Sequence, residues 1–214
     1  MSNSPNTPSD VIKHITSDNQ LKVSFVPSNN PLPSAFCFDK KKINAFVLGA
    51  DPSNFSDNGK TVFLKTVFGI GSGDNRYFRD ILVNLKLIGL NLEDIYVQNL
   101  IQNFMDTETT DNELWSQFAE IWLPVLKAEF DKMDKKQKTP VLITAQKIFD
   151  FLLNKGEGED KVENYYTDKK TKILVPKDNN RLNRPIVPFF RAPVYKLTKN
   201  RWPNYINKAK KIFI

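Results

Sequence analysis

The chain has 214 residues, 40% of them hydrophobic and 12% aromatic, enough to bury one sizeable core. Lys and Arg number 31 against 24 Asp and Glu, a formal charge of +7 that favours an anionic partner such as nucleic acid and equally describes a solvated basic face. One cysteine, Cys37, excludes an internal disulfide and a cysteine-rich zinc site, and one histidine, His14, excludes a His-rich metal site.

Residues 1–10 are rich in Ser, Asn and Pro without an apolar run, so residues 1–20 are expected to form a partly disordered tail. His14 is expected on the surface of a helix within residues 11–20. No stretch reaches the uninterrupted apolar length that crosses a bilayer, and with the cysteine usage this predicts a soluble, cytoplasmic monomer without membrane contact. Residues 21–214 read as a single α/β domain.

Short apolar runs at residues 43–48, 94–100, 140–144 and 185–190 predict four strands. Between and after them, apolar residues recur at helical spacing over 76–90, 112–133, 146–153 and 204–213. Phe78, Ile81, Leu82, Leu85 and Ile88 make one such stripe; Leu114, Phe118, Ile121, Leu126 and Phe130 make another. Alternating strands and helices predict a three-layer α/β/α sandwich around a central, four-stranded, mainly parallel sheet. Residues 156–184 break the rhythm with Gly, Lys, Asp and Asn and one weak strand at 171–175. They are expected to be a surface loop insertion.

Ligands of such sheets gather at the carboxyl ends of the strands. The first strand runs through Phe46, Val47 and Leu48 to Gly49, Ala50, Asp51 and Pro52. Gly49 allows close approach, and Pro52 biases Asp51 towards an extended conformation, so the carboxylate is presented at the strand end. A turn carboxylate is the competing reading. The second strand ends in Gln98 and Asn99, and the fourth in Phe189, Phe190 and Arg191. Phe68 precedes Gly69, Gly71 and Gly73, glycines that match neither a dinucleotide fingerprint nor a phosphate loop. A carboxylate, an amide, an aromatic plane and a cation suit an extruded nucleobase: the ring stacks, the Asn offers donor and acceptor to a base edge, and the carboxylate meets positive charge on the sugar. Each has a plainer alternative, a strand-end cap for Asn99 and core packing for Phe68.

In the order and spacing of these residues, from about residue 30 to the C-terminus, the chain resembles the uracil-DNA glycosylase superfamily. The family's Gly-Gln-Asp-Pro-Tyr-His motif corresponds to Gly49, Ala50, Asp51, Pro52, Ser53 and Asn54. The resemblance implies that Asp51 is catalytic, that Phe68 stacks on the base, and that Asn99 reads it, with Ala50 and Ser53 lining the pocket. Ser53 in place of the motif Tyr implies room for a larger base. Where the family has His-Pro-Ser-Pro after the last strand this chain has Phe189, Phe190, Arg191, Ala192 and Pro193, and losing that imidazole donor is worth about a hundredfold in rate.

Arg191, Lys196, Lys199 and Arg201, interleaved with Tyr195 and Trp202, are expected to contact nucleic acid, against the rival reading of a solvated loop. The implied activity is hydrolysis of the N-glycosidic bond of a damaged or deaminated base in duplex or single-stranded DNA, without metal or organic cofactor. The alternative is a nucleic-acid-binding protein that kept the fold and lost the chemistry.

Overall fold

The computed structural model describes residues 5–29, 31–56, 58–71, 76–154, 162–167, 169–198 and 200–213. Its sheet has five strands in the order β1-β3-β2-β4-β5. They are β1 (Phe36–Cys37), β2 (Ala45–Gly49), β3 (Ile95–Asn99), β4 (Val141–Ile143) and β5 (Ile186–Pro188). The last four are parallel to one another, at the positions the apolar runs predict; β1 adds an antiparallel edge beside β3. The sheet is therefore five-stranded, not four-stranded. A two-residue, half-buried edge strand carries no alternation for a sequence to display.

Every residue of β2 to β5 is buried, as in a parallel sheet covered on both faces. The cover comes from α2 (Arg76–Leu87), α3 (Trp115–Met133) and α4 (Gln146–Leu152), with α1 (Pro8–Ser17), α5 (Glu163–Tyr166) and α6 (Pro203–Phe213) around them. The right-handed rule for parallel crossovers assigns α2 to one face and α3 with α4 to the other. Phe46 of β2 stacks on Phe130 of α3 with ring centres 4.2 Å apart, and Tyr96 of β3 meets both rings edge-on. Trp115 of α3 meets Phe151 of α4 the same way. Chain direction reverses about β2, so the carboxyl ends of β2 and β4 flank a topological switch point, where open α/β sheets place ligands.

Two segments are more ordered than their composition predicts. Helix α1 starts at Pro8, inside the expected tail. The Thr7 hydroxyl accepts from the Asp10 N–H while Asp10 accepts from the Thr7 N–H, and Val11 and Ile15 are fully buried. The helix packs on α3, and His14 is exposed as expected. In the expected surface insertion, residues 155–161 and 168 lie outside the described residues, but Val162, Tyr165, Tyr166, Ile173, Val175 and Leu182 are core. The weak strand reduces to one antiparallel bridge from Val175 to Ile186. Tyr166 stacks on Tyr205 of α6, and both hydroxyls donate to the Pro188 carbonyl at the end of β5. Burial pushes both phenols up, so they remain donors throughout the ordinary pH range.

Arg184, fully buried, lies against the Phe46 and Phe130 rings and pairs with Asp131 at 2.6 Å and Asp134 at 2.8 Å. Burial opposes charge on Asp134, but hydrogen bonds from Thr139 and the Arg184 guanidinium outweigh it and hold the carboxyl below its usual range. A carboxyl with a depressed folded-state value stabilises fully above its unfolded value of about 3.9, and the contribution is lost as pH falls from there through the folded value. Thermal melts from pH 7 to pH 3 should therefore show Asp134→Asn less stable than the native chain at pH 7, with the gap closing in acid. A gap independent of pH would refute the assignment.

Among the described residues no helix is long and apolar enough to cross a membrane.

Candidate functional site

At the carboxyl ends of the parallel strands lies a cavity of about 260 Å³, just below the ~300–1,000 Å³ of sites for drug-sized ligands. Six residues singled out by sequence line it: Ala50, Asp51, Ser53, Phe68, Asn99 and Arg191. They come from the ends of β2, β3 and β5 and from the loop between β2 and α2.

The floor is built over Gly49. A Cβ there would stand 2.2 Å from Asn99 Oδ1 and 2.6 Å from Phe68 Cζ, so only glycine lets the amide and the ring meet above the strand end. Parallel pairing continues past the strand, with the Leu100 and Ile101 N–H groups donating to the Gly49 and Ala50 carbonyls. Phe68 sits at φ 56°, ψ 13°, a left-handed conformation that is an outlier for a bulky residue and whose cost the surroundings must offset. Its ring leans on Phe78 of α2.

Asn99 is 2% exposed, and its Oδ1 has no hydrogen-bond partner among the described residues. An unpaired buried acceptor costs about 1–3 kcal/mol. Its backbone is nevertheless held with care. The Asn99 N–H donates to Gln98 Oε1 at 2.9 Å, and Gln98 Nε2 donates to the Glu129 carboxylate of α3 at 3.0 Å. Glu129 also accepts from the Tyr96 hydroxyl and from Gln102. That carboxylate dictates which way the Gln98 amide points, and hence that an acceptor faces Asn99.

Asp51 accepts three hydrogen bonds. The Ser53 N–H reaches Oδ1 at 2.9 Å; the Thr109 hydroxyl and Trp115 Nε1 reach Oδ2 at 2.6 and 3.0 Å. The carboxylate is thus oriented by a tight turn, by the loop before α3, and by the first residue of that helix. Ser53 lines the cavity, while its hydroxyl oxygen accepts the Met105 N–H at 3.1 Å.

The polar wall also includes Asn54, Thr109, Thr110, Thr144, Gln146 and Lys147, none of which has a sequence-assigned role. Thr144 donates its hydroxyl to the Leu48 carbonyl, and its own carbonyl accepts the Arg191 N–H at 3.0 Å, joining the ends of β2, β4 and β5. Lys147, in the first turn of α4, donates to the Thr109 and Asn112 carbonyls. Burial pushes its ammonium below the usual lysine range, while the nearby Asp51 and Asp111 charges act in the opposite direction. Thr109 consequently touches both charged groups, the Asp51 carboxylate through its hydroxyl and the Lys147 ammonium through its carbonyl.

The remaining sequence-nominated cations stand apart from this lining. Lys196 pairs with Asp80 at 3.2 Å, and Arg201 donates to the Pro193 carbonyl beside the Trp202 ring. Lys199 lies outside the described residues, as does Gly73. Gly69 and Gly71 both take positive φ, 68° and 82°, in keeping with a turn.

The fold and the cavity define an α/β protein with a small, partly polar cavity at the carboxyl edge of its parallel sheet. No protein-family model matches the chain, and no curated protein matches its sequence.

Proposed function

We propose that the protein extrudes a damaged or deaminated base from DNA into this cavity and hydrolyses its N-glycosidic bond, in the manner of the uracil-DNA glycosylase superfamily that its motifs resemble. The observation that carries the reading is the floor of the cavity. Asn99 Oδ1 is buried and unpaired among the described residues, next to an aromatic ring held in a strained conformation, over a glycine whose replacement would displace both. A planar heterocycle with an N–H on its edge would satisfy both, stacking on Phe68 and, once the amide turns towards the cavity, donating to Asn99. Asp51 then faces the sugar as a fixed negative charge, complementary to the oxocarbenium-like cation that forms as the bond breaks. Arg191 at the cavity lining and the overall charge of +7 suit a phosphate backbone.

One observation favours a second reading, a nucleic-acid-binding protein without turnover: both Asp51 oxygens are already engaged by protein donors, as in a structural latch. Single-turnover assays on oligonucleotides carrying uracil, hypoxanthine, xanthine or mispaired thymine separate the two. Release of one base supports the glycosylase. Silence across the panel, with binding that weakens steeply as salt rises, supports the binding protein; silence without binding refutes both.

A further inference from the structure

Hydrolysis of an N-glycosidic bond creates two opposite charges, a positive sugar and a negative departing base. The only histidine, His14, is exposed on α1 and does not line the cavity, so no imidazole receives that base. The lining offers two cations. Arg191 is exposed on the loop after β5, whereas Lys147 is half-buried and fixed by two backbone carbonyls, Thr109 and Asn112. An ammonium has three N–H donors. Two are spent on these carbonyls, and the ammonium also stands over the Trp115 indole, 5.6 Å from the ring centre; among the described residues no third oxygen or nitrogen acceptor meets it.

On the glycosylase reading given above, we propose that Lys147 is a catalytic residue that donates its third N–H to the base as it departs. The C1′–N bond breaks and its electron pair stays on the base nitrogen, delocalised onto the exocyclic carbonyl oxygen of the base that accepts from Lys147. Water forms the new C1′–O bond and its proton passes to solvent. The geometry suits the charges: Thr109 anchors Asp51 on one side and Lys147 on the other, so an anion and a cation are held at fixed separation where opposite charges develop. A partly desolvated, prepositioned donor is worth more to a transition state than one that must reorganise from water. The two carbonyl contacts and the nearby Asp51 charge favour the ammonium while burial opposes it, so borohydride trapping is needed to separate a donor from a nucleophile.

The test is leaving-group sensitivity, measured by single-turnover release of uracil and of 5-fluorouracil, the more acidic base, from otherwise identical oligonucleotides. Lys147→Met should slow uracil release about a hundredfold and 5-fluorouracil release about tenfold, because the better leaving group needs less help. Lys147→Gln, which keeps an N–H donor against the loop carbonyls, should show the same rise in the rate ratio if the methionine variant folds poorly. Melting curves accompany both. Equal slowing of the two bases assigns Lys147 a structural role and overturns the proposal, as does an unchanged uracil rate. A borohydride-trapped covalent adduct at Lys147 overturns it in favour of amine attack. Native protein that releases neither pyrimidine overturns it too, and the purine substrates of the wider panel then decide whether the glycosylase reading survives.

Discussion

Asp51→Asn is expected to abolish base release while leaving oligonucleotide binding within a few-fold of the native protein. Removing one prepositioned electrostatic partner of a transition state costs about two to three powers of ten in rate, and Asp51 is the only carboxylate lining the cavity among the described residues. The substitution has a structural side that the hydrogen bonds make explicit. Oδ1 faces the Ser53 N–H, and Oδ2 faces the Thr109 hydroxyl and the Trp115 indole N–H. The asparagine amide must turn its NH2 towards one of these groups. The threonine hydroxyl can rotate to accept, but neither the Ser53 nor the indole N–H can, so one donor is left facing a donor at about 1–3 kcal/mol. Lost turnover alone is therefore ambiguous between chemistry and a loosened loop. Thr109→Val resolves it by loosening the same loop while keeping the carboxylate. If Asp51→Asn is inactive and Thr109→Val retains most of its rate at a similar melting temperature, the charge itself is catalytic. Equal losses in both would assign the effect to the latch, and an active Asp51→Asn would remove Asp51 from the chemistry.

What was legible in the sequence follows the range of the interactions. The four parallel strands show as continuous apolar runs because both of their faces are buried, and the helices show as stripes because only one face is. Strand β1, two residues long, exists only because β3 is there to pair with it. Asp51, Asn99 and Arg191 were within reach because strand ends are where α/β sites lie, and that rule needs only strand boundaries. Phe68 was reached as an aromatic beside a glycine-rich loop, with the family resemblance adding to its stacking role; among 16 phenylalanines, no pattern announces a ring held at positive φ. Thr109, Trp115 and Lys147 were missed because their roles depend on contacts across 58, 64 and 38 residues of sequence, which no local spacing encodes. A signal was nonetheless present: residues 107–112, Thr-Glu-Thr-Thr-Asp-Asn, form a polar run after a strand end, and Lys147 follows another strand end. The Tyr165-Tyr166 pair was likewise an aromatic anchor inside a stretch whose Lys and Asp content suggested exposure.

Gly49→Ala is expected to leave the protein folded and the site closed. The added methyl carbon would meet Asn99 Oδ1 at 2.2 Å and Phe68 Cζ at 2.6 Å, distances at which something must move. Both atoms are side-chain ends, so the strand itself has no reason to part from its neighbours. Overpacking of this kind costs about 1–3 kcal/mol, and at about 2–4 °C per kcal/mol for a chain of this size the melting temperature should fall by several degrees without loss of cooperativity. The displaced groups are those assigned to stacking and to base reading. With the Phe68 ring or the Asn99 amide pushed from its place, base release should drop by about a hundredfold, the loss expected when reacting groups are misplaced by an ångström or so. The effect should match that of combining Asn99→Ala with Phe68→Ala, since one methyl disturbs both contacts. An alanine variant that melts several degrees lower and still releases base at the native rate would mean that neither Asn99 nor Phe68 touches the substrate. The floor of the cavity would then be a packing arrangement, and the glycosylase reading would lose the observation on which it rests.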